Sequence, residues 1–281
     1  MLKIGIIGPP QSGKTTVFNA LTSGHQQTAK VSPHLQLHRG IVKIPDEKLF
    51  NLAKLYNPKK TSLAEIEYLD LVGSLESEKK AEGEVWQVLR EMDELALVLG
   101  LYKTSLGFTT VDPMAELRTV LSDLVIMDLM VVEKRLEKSK KQPPTSEEAH
   151  RELELIAKCK EALDKELPLR SIKFIPDEEK RLRGFSFLSL KPILIILNIS
   201  EKELSQIVEI EKKFKTDLVS EKIDCLALCG KLEMELAQLE EKEELEFMQE
   251  WGITEPATKK LVKYSYHLLD LIRFYTANEN E

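Results

Sequence analysis

The sequence predicts an α/β fold: a mostly parallel sheet covered by helices on both faces, with an antiparallel helical hairpin inserted into it. Three observations lead there. Short apolar runs of strand length alternate with segments of helical period, the pattern of a parallel sheet with crossover helices. A glycine-containing turn, GPPQSGKTT, separates the first such run from the first helix. A long helix-period stretch in the middle of the chain breaks the alternation, halts at Pro143-Pro144 and resumes beyond them.

The elements follow in order. Residues 3–7 form a buried strand and residues 15–21 a helix. A short strand covers 41–44 after a polar segment, and EIEYLDL at 65–71 is another, ending in the turn DLVG. Residues 85–92 are helical, LALVLGL at 95–101 is a strand, and the runs 192–197 and 224–228 complete the sheet. Over 123–141 apolar residues recur at helical spacing: Leu124, Met127 or Asp128, Val131, Lys134 or Arg135, Leu136. After KKQPPTSEEA, Thr145 and Glu148 have capping-box spacing. Leu153, Ile156, Cys159 or Lys160, Leu163 and Leu167 mark a second buried stripe. The pair reads as an arm over 123–184 projecting from a discontinuous domain, 1–122 and 185–232; a pair of helices laid flat on the core is the alternative. Residues 233–281, rich in Glu and Leu, read as two or three further helices.

Composition excludes several classes. With 42% hydrophobic residues in a chain of 281, a substantial core can be buried. The most apolar run, 192–197, is strand-sized, so no membrane span is expected. The N-terminus enters a strand directly, with no apolar segment ahead of a cleavage site. Three cysteines, Cys159, Cys225 and Cys229, are odd in number and lack C-x-x-C spacing, which fits a reducing, cytoplasmic setting. A net charge of −7 argues against coating nucleic acid non-specifically, and no sequence-reading DNA contact is expected.

The chemistry begins at Gly8-x-x-x-x-Gly13-Lys14-Thr15. Strand, loop and helix stand in the order a phosphate-binding loop requires. Backbone N–H groups of such a loop surround phosphates, and the helix N-terminus adds partial positive charge. Lys14 is the catalytic candidate, reaching β and γ oxygens, while Gln11, Ser12 and Thr16 complete the cradle. The Thr15 hydroxyl is placed to ligate Mg²⁺. Asp70, at the tip of a neighbouring strand, is the second metal candidate, and Gly73 leaves room for a γ-phosphate. Alone, DLVG is a common strand-ending turn; coupled to the loop it reads as functional.

The base end of a bound nucleotide is expected at Asn198, Ile199 and Glu201 after one strand, and at Cys229, Gly230 and Lys231 after the last. Asn198-Ile199-Ser200-Glu201 differs from Asn-Lys-x-Asp, whose carboxylate accepts two guanine N–H donors side by side. Glu is one methylene longer and Ile199 replaces the Lys, so ATP should bind at least as well as GTP. The counter-reading is that Glu201 merely caps the following helix. His34 and His38 are four apart, but a polar loop accounts for them better than a metal pair. Lys138, Lys140 and Lys141 crowd the hairpin tip, where rRNA phosphates or plain solvent would meet them, with Glu147 and Glu148 nearby. Trp86 and Trp251 sit among helical neighbours and should pack; Cys225 and Cys229 read as buried thiols.

GPPQSGKTTVFNALT, P-D-E-K-L at 45–49, DLVG, VDPMAELRTVLSDLVIMDLMVVEKRLEK, LKPILIILNISEKE and CGKLEMELAQL together resemble the YchF-type branch of the Obg-like P-loop nucleotidases. The resemblance covers nearly the whole chain, and residues 111–138 are its most diagnostic part. It implies a P-loop NTPase (G-domain) fold with a six-stranded nucleotide domain, a coiled-coil arm, slow hydrolysis of ATP or GTP with Mg²⁺, and a ribosome-linked or stress-linked partner. It also implies that main chain near Ile199 meets adenine.

The sequence departs from that family at several places. Its members continue past RFYTA into a small β-rich TGS domain, whereas this chain stops at Glu281. Gln11 and Ser12 stand where the family has Asn and Val, which bears on potassium binding. His34 falls where a magnesium-binding Thr belongs. Ser74 and Leu75 follow DLVG, with no catalytic Gln, and the following SLESEKKAEGE is shortened. The binding site is therefore expected to be better kept than the catalytic apparatus. A slow triphosphatase switch is the main expectation; a nucleotide-dependent scaffold without hydrolysis, or a GTP-specific binder using the arm for partners, is the alternative.

Overall fold

The computed structural model describes residues 1–24, 27–30, 36–72, 83–101, 112–216, 218 and 222–276. β1 (Leu2–Ile7) leads through the glycine turn into α1 (Lys14–Thr22). β2 (Gln27–Lys30) and β3 (Gln36–Lys43) follow, then α2 (Glu47–Tyr56) and β4 (Glu65–Val72). α3 (Glu84–Arg90) and β5 (Glu94–Gly100) precede the two long helices, α4 (Pro113–Lys141) and α5 (Glu147–Leu163). α6 (Pro176–Leu182), β6 (Ile193–Asn198), α7 (Ile207–Thr216), β7 (Ile223–Leu228), α8 (Gly230–Leu236), α9 (Glu241–Trp251) and α10 (Ala257–Leu268) complete the chain.

The sheet runs β2-β3-β4-β1-β5-β6-β7. The five strands from β4 to β7 in that order are parallel, and β3 and β2 are antiparallel additions on one edge. β5 and β6 are buried on both faces, so they carry continuous apolar runs rather than alternation. One face packs on α1 and α10 through Ile4, Phe18, Val98, Ile196 and Leu261. The other packs on α3, α4, α7 and α8 through Leu97, Ile195, Trp86, Leu124 and Leu232.

The seven strands among the described residues are one more than the resemblance implies. The extra one is β2, which has no apolar pattern and forms by pairing with β3. β3 covers eight residues instead of four, and Ile44 lies just beyond it. Trp86 is core, but Trp251 remains partly exposed beside Phe247.

The arm's first helix begins at Pro113, ten residues before the expected 123. The Asp112 carboxylate accepts from the Met114 N–H, and proline occupies the first turn, where its missing N–H costs nothing. The second helix is capped by Ser146, which accepts from the Ala149 N–H, and not by Thr145. Val125 and Val132 pack on Leu155, Ile156, Cys159 and Leu163 in a core separate from the sheet's two. Leu167 lies past the end of α5 and is exposed. Arg135–Glu152 and Lys160–Glu133 pairs fix the antiparallel register.

At the arm's base the Asp128 carboxylate is fully buried. It accepts from Arg90 Nη1 (2.9 Å), Leu188 N (3.0 Å) and Ser189 N (2.6 Å). Arg90 also donates to the carbonyls of Met127 (3.1 Å) and Ser186 (3.2 Å). This hub ties α3, α4 and the return from the arm together. At the C-terminal side, Asp46 caps α2 and accepts from Arg273 and Tyr275.

Candidate functional site

Parallel pairing sets Ile6 on β1 opposite Asp70 on β4, so the turn after β1 emerges beside the Asp70 carboxylate. Two glycines allow that turn. A Cβ on Gly8 would lie 2.3 Å from the Val98 carbonyl oxygen of β5, which only glycine avoids. Gly13 takes φ 90° immediately before α1, in the left-handed region glycine adopts freely. Gln11 is also left-handed, φ 64°, a conformation asparagine tolerates best among non-glycine residues. That agrees with the Asn the resemblance puts there.

Lys14 folds back over the loop, its Nζ donating to the carbonyls of Gly8 (3.0 Å) and Pro9 (2.8 Å). Burial pushes its ammonium below the usual lysine value, with Asp70 partly opposing. The loop carbonyls hold this cation at the mouth of a helix N-terminus, where anionic oxygens are favoured. Thr15 Oγ1 donates to Asp70 Oδ2 at 2.9 Å. Asp70 is fully buried, and its Oδ1 has no hydrogen-bond partner among the described residues. An unsatisfied buried carboxylate oxygen beside a hydroxyl is a hard-oxygen donor set of the kind Mg²⁺ takes. These residues fit that ion.

His38, expected in a polar loop, lies instead within β3. It lies across from Asp70 on β3, with Nδ1 3.4 Å from Asp70 Oδ2, and its ring faces Phe18. Cross-strand register brings it there, and no spacing in the sequence records that. His34, Gly73, Ser74 and Leu75 lie outside the described residues.

The expected base end divides into stitching and exposed parts. Asn198 is buried; its Nδ2 donates to the Ser12 carbonyl (3.0 Å), and its Oδ1 accepts from the Gly230 N–H (3.0 Å). One side chain thereby joins the loop after β1 to the loop after β7. Ser12 is buried behind it, and its Oγ has no partner among the described residues. Cys229 is buried ahead of α8, whose first residue is Gly230. Thr16 lies partly exposed on α1.

Ile199 is buried just past the end of β6. Its side chain is 2% exposed within the sheet's core, and its N–H donates to the Leu228 carbonyl at 2.9 Å. The β6–β7 pairing continues through it, so its side chain and N–H are both engaged within the fold. Glu201 corrects its own counter-reading. The helical turn it begins is capped by Ser200 with Glu203, whose carboxylate accepts from the Ser200 N–H. Glu201 instead accepts from Lys231 Nζ at 2.7 Å across the two loops.

Cys159, Cys225 and Cys229 are all buried free thiols, and burial pushes the first two up to about 12. No helix among the described residues is long and apolar enough to cross a membrane.

Comparison with known proteins adds the following. Residues 3–134 match the family described as 50S ribosome-binding GTPase. Aligned over its full length, the chain is 33% identical to the ribosome-binding ATPase YchF of Bacillus subtilis and spans 79% of that protein. It is 30% identical to the protein of the same name from Escherichia coli O157:H7, with 99% of this chain and 79% of that one covered. Among solved structures, the Schizosaccharomyces pombe YchF GTPase superposes with a TM-score of 0.77 at 23% identity, over 99% of this chain and 78% of the other.

Proposed function

The chain belongs to the YchF-type branch of the Obg-like P-loop nucleotidases, and from that premise we propose that it binds ATP or GTP with Mg²⁺ at residues 8–15 and hydrolyses it slowly as a conformational switch. The observation that supports this best is the Lys14–Thr15–Asp70 arrangement at the mouth of α1. The Thr15 hydroxyl and the Asp70 carboxylate would hold Mg²⁺, which would supply positive charge against the charge that develops on the phosphates. Lys14 would exchange two neutral carbonyls for β and γ oxygens, a stronger charge-assisted contact. The loop N–H groups would orient the phosphates.

ATP is the preferred nucleotide in this reading. Asn-Ile-Ser-Glu offers guanine a longer, less well placed carboxylate than Asp, which lowers guanine selectivity by about 1–3 kcal/mol, the value of a buried polar contact. Relatives named for ribosome binding support a ribosomal partner and, with it, a cytoplasmic setting.

Lys14→Ala should abolish most triphosphate binding while far-ultraviolet circular dichroism and melting stay close to wild type. Titration calorimetry with ATP and GTP, with and without Mg²⁺, reads this directly. Equal affinities for wild type and variant would overturn the phosphate-loop reading.

A further inference from the structure

Glu201 and Lys231 are 30 residues apart in sequence and leave two different strands, yet their charged ends meet at 2.7 Å. Directly beneath them in the chain, Asn198 and Gly230 join the same two loops. The ion pair therefore spans the edge where the proposed nucleotide's base would lie. We infer that Lys231 is a specificity-determining residue: it engages the Glu201 carboxylate and withdraws it from guanine. The inference rests on the nucleotide-site reading above and deepens it.

The chemistry is one of competition for a single acceptor. Guanine presents two N–H donors on its Watson–Crick edge, and a free carboxylate accepts both. A carboxylate already accepting from an ammonium has one oxygen occupied and most of its charge neutralised. Adenine presents no such donor pair, so its binding does not depend on that carboxylate being free. Lys231 thus lowers GTP affinity without a matching effect on ATP, a case of specificity gained by disfavouring the wrong ligand.

The size of the effect is bounded by exposure. The lysine is 65% exposed and the glutamate 36%, and such pairs contribute at most about fivefold in an equilibrium constant. The same exposure makes the pair sensitive to salt, whose screening length is about 10 Å at 0.1 M. Lys231 also has Glu235 four residues along α8 as a second acidic neighbour, which raises its pKa together with Glu201. The ammonium can therefore leave Glu201 without becoming isolated, and opening the pair is cheap.

The test is the ratio of GTP to ATP dissociation constants, measured by competition against a fluorescent nucleotide in the full chain. Lys231→Met keeps the unbranched stem and removes the charged end. It should shift the ratio toward GTP by about two- to fivefold. Adding Glu201→Gln to that variant should return the ratio to the wild-type value. Raising salt should move wild type in the direction of Lys231→Met and leave the variant's ratio unchanged, because phosphate screening weakens both nucleotides alike. An unchanged ratio in Lys231→Met overturns the inference. So does a shift toward ATP, which would mean that the ammonium itself meets the base. If wild type binds neither nucleotide, the site reading fails first, and that outcome is distinct from an indifferent ratio.

Discussion

Glu94 shows how one side chain can set a pH limit. It opens β5, fully buried, with Ser265 Oγ donating to Oε1 at 2.9 Å. Its other oxygen and the nearby Tyr68 hydroxyl have no partner among the described residues. Burial raises its pKa from 4.5 to about 8, so the folded chain keeps a proton that the unfolded chain has released. Stability from this residue is fully present below about pH 4.5, falls as pH rises, and levels off above about 8. The slope is about 1.4 kcal/mol per pH unit for one proton. Glu94→Gln preserves the acceptor for Ser265 and removes the titration. The variant should therefore gain stability over wild type steadily between pH 5 and 8 in urea unfolding, and a pH-independent difference would rule this out. The residues of the phosphate loop were legible in the sequence because their chemistry is local, eight positions in one turn. Thr15 and Asp70 could be named together from the loop and the DLVG turn, but the Asn198–Ser12 stitch and the His38–Asp70 contact could not, since each joins segments that only the sheet brings together.

Among the elements, α4 depends most on a buried charge. Asp128 holds Arg90 and two backbone N–H groups inside the protein. Removing one partner of such a pair leaves a charge uncompensated, at a cost of about 3–5 kcal/mol. Asp128→Ala should lower unfolding stability by that amount; a loss below about 1 kcal/mol would show that Arg90 finds another partner. The parallel strands were readable as mainly apolar runs, since strands buried on both faces carry few polar residues. β2 was not, because QTAK carries no pattern and its order comes from β3. The start of α4 was written in Asp112-Pro113 as a cap followed by a first-turn proline, a signal outweighed by the stronger apolar spacing ten residues on.

For the molecule as a whole, the phosphate loop is complete while the two segments expected to complete catalysis carry atypical residues, His34 and Ser74. Phosphoryl transfer needs an oriented water and neutralised charge, and only the second has clear donors here. Single-turnover hydrolysis of ATP by the isolated protein should run well below the usual range of about 1–10³ s⁻¹. A rate inside that range would require a water-orienting group other than those named.

The arm also has a mechanical consequence. Asp128 pins α4 roughly at its midpoint, leaving 13 residues between this fulcrum and Lys141, about 20 Å of helix braced by α5. A tilt of about 10° at the fulcrum would sweep the tip through roughly 3.5 Å, the span of a hydrogen bond. Such a tilt would make the arm a lever: a small adjustment where α3 meets Asp128 would be enlarged at Lys138, Lys140 and Lys141 into a displacement large enough to make or break a contact.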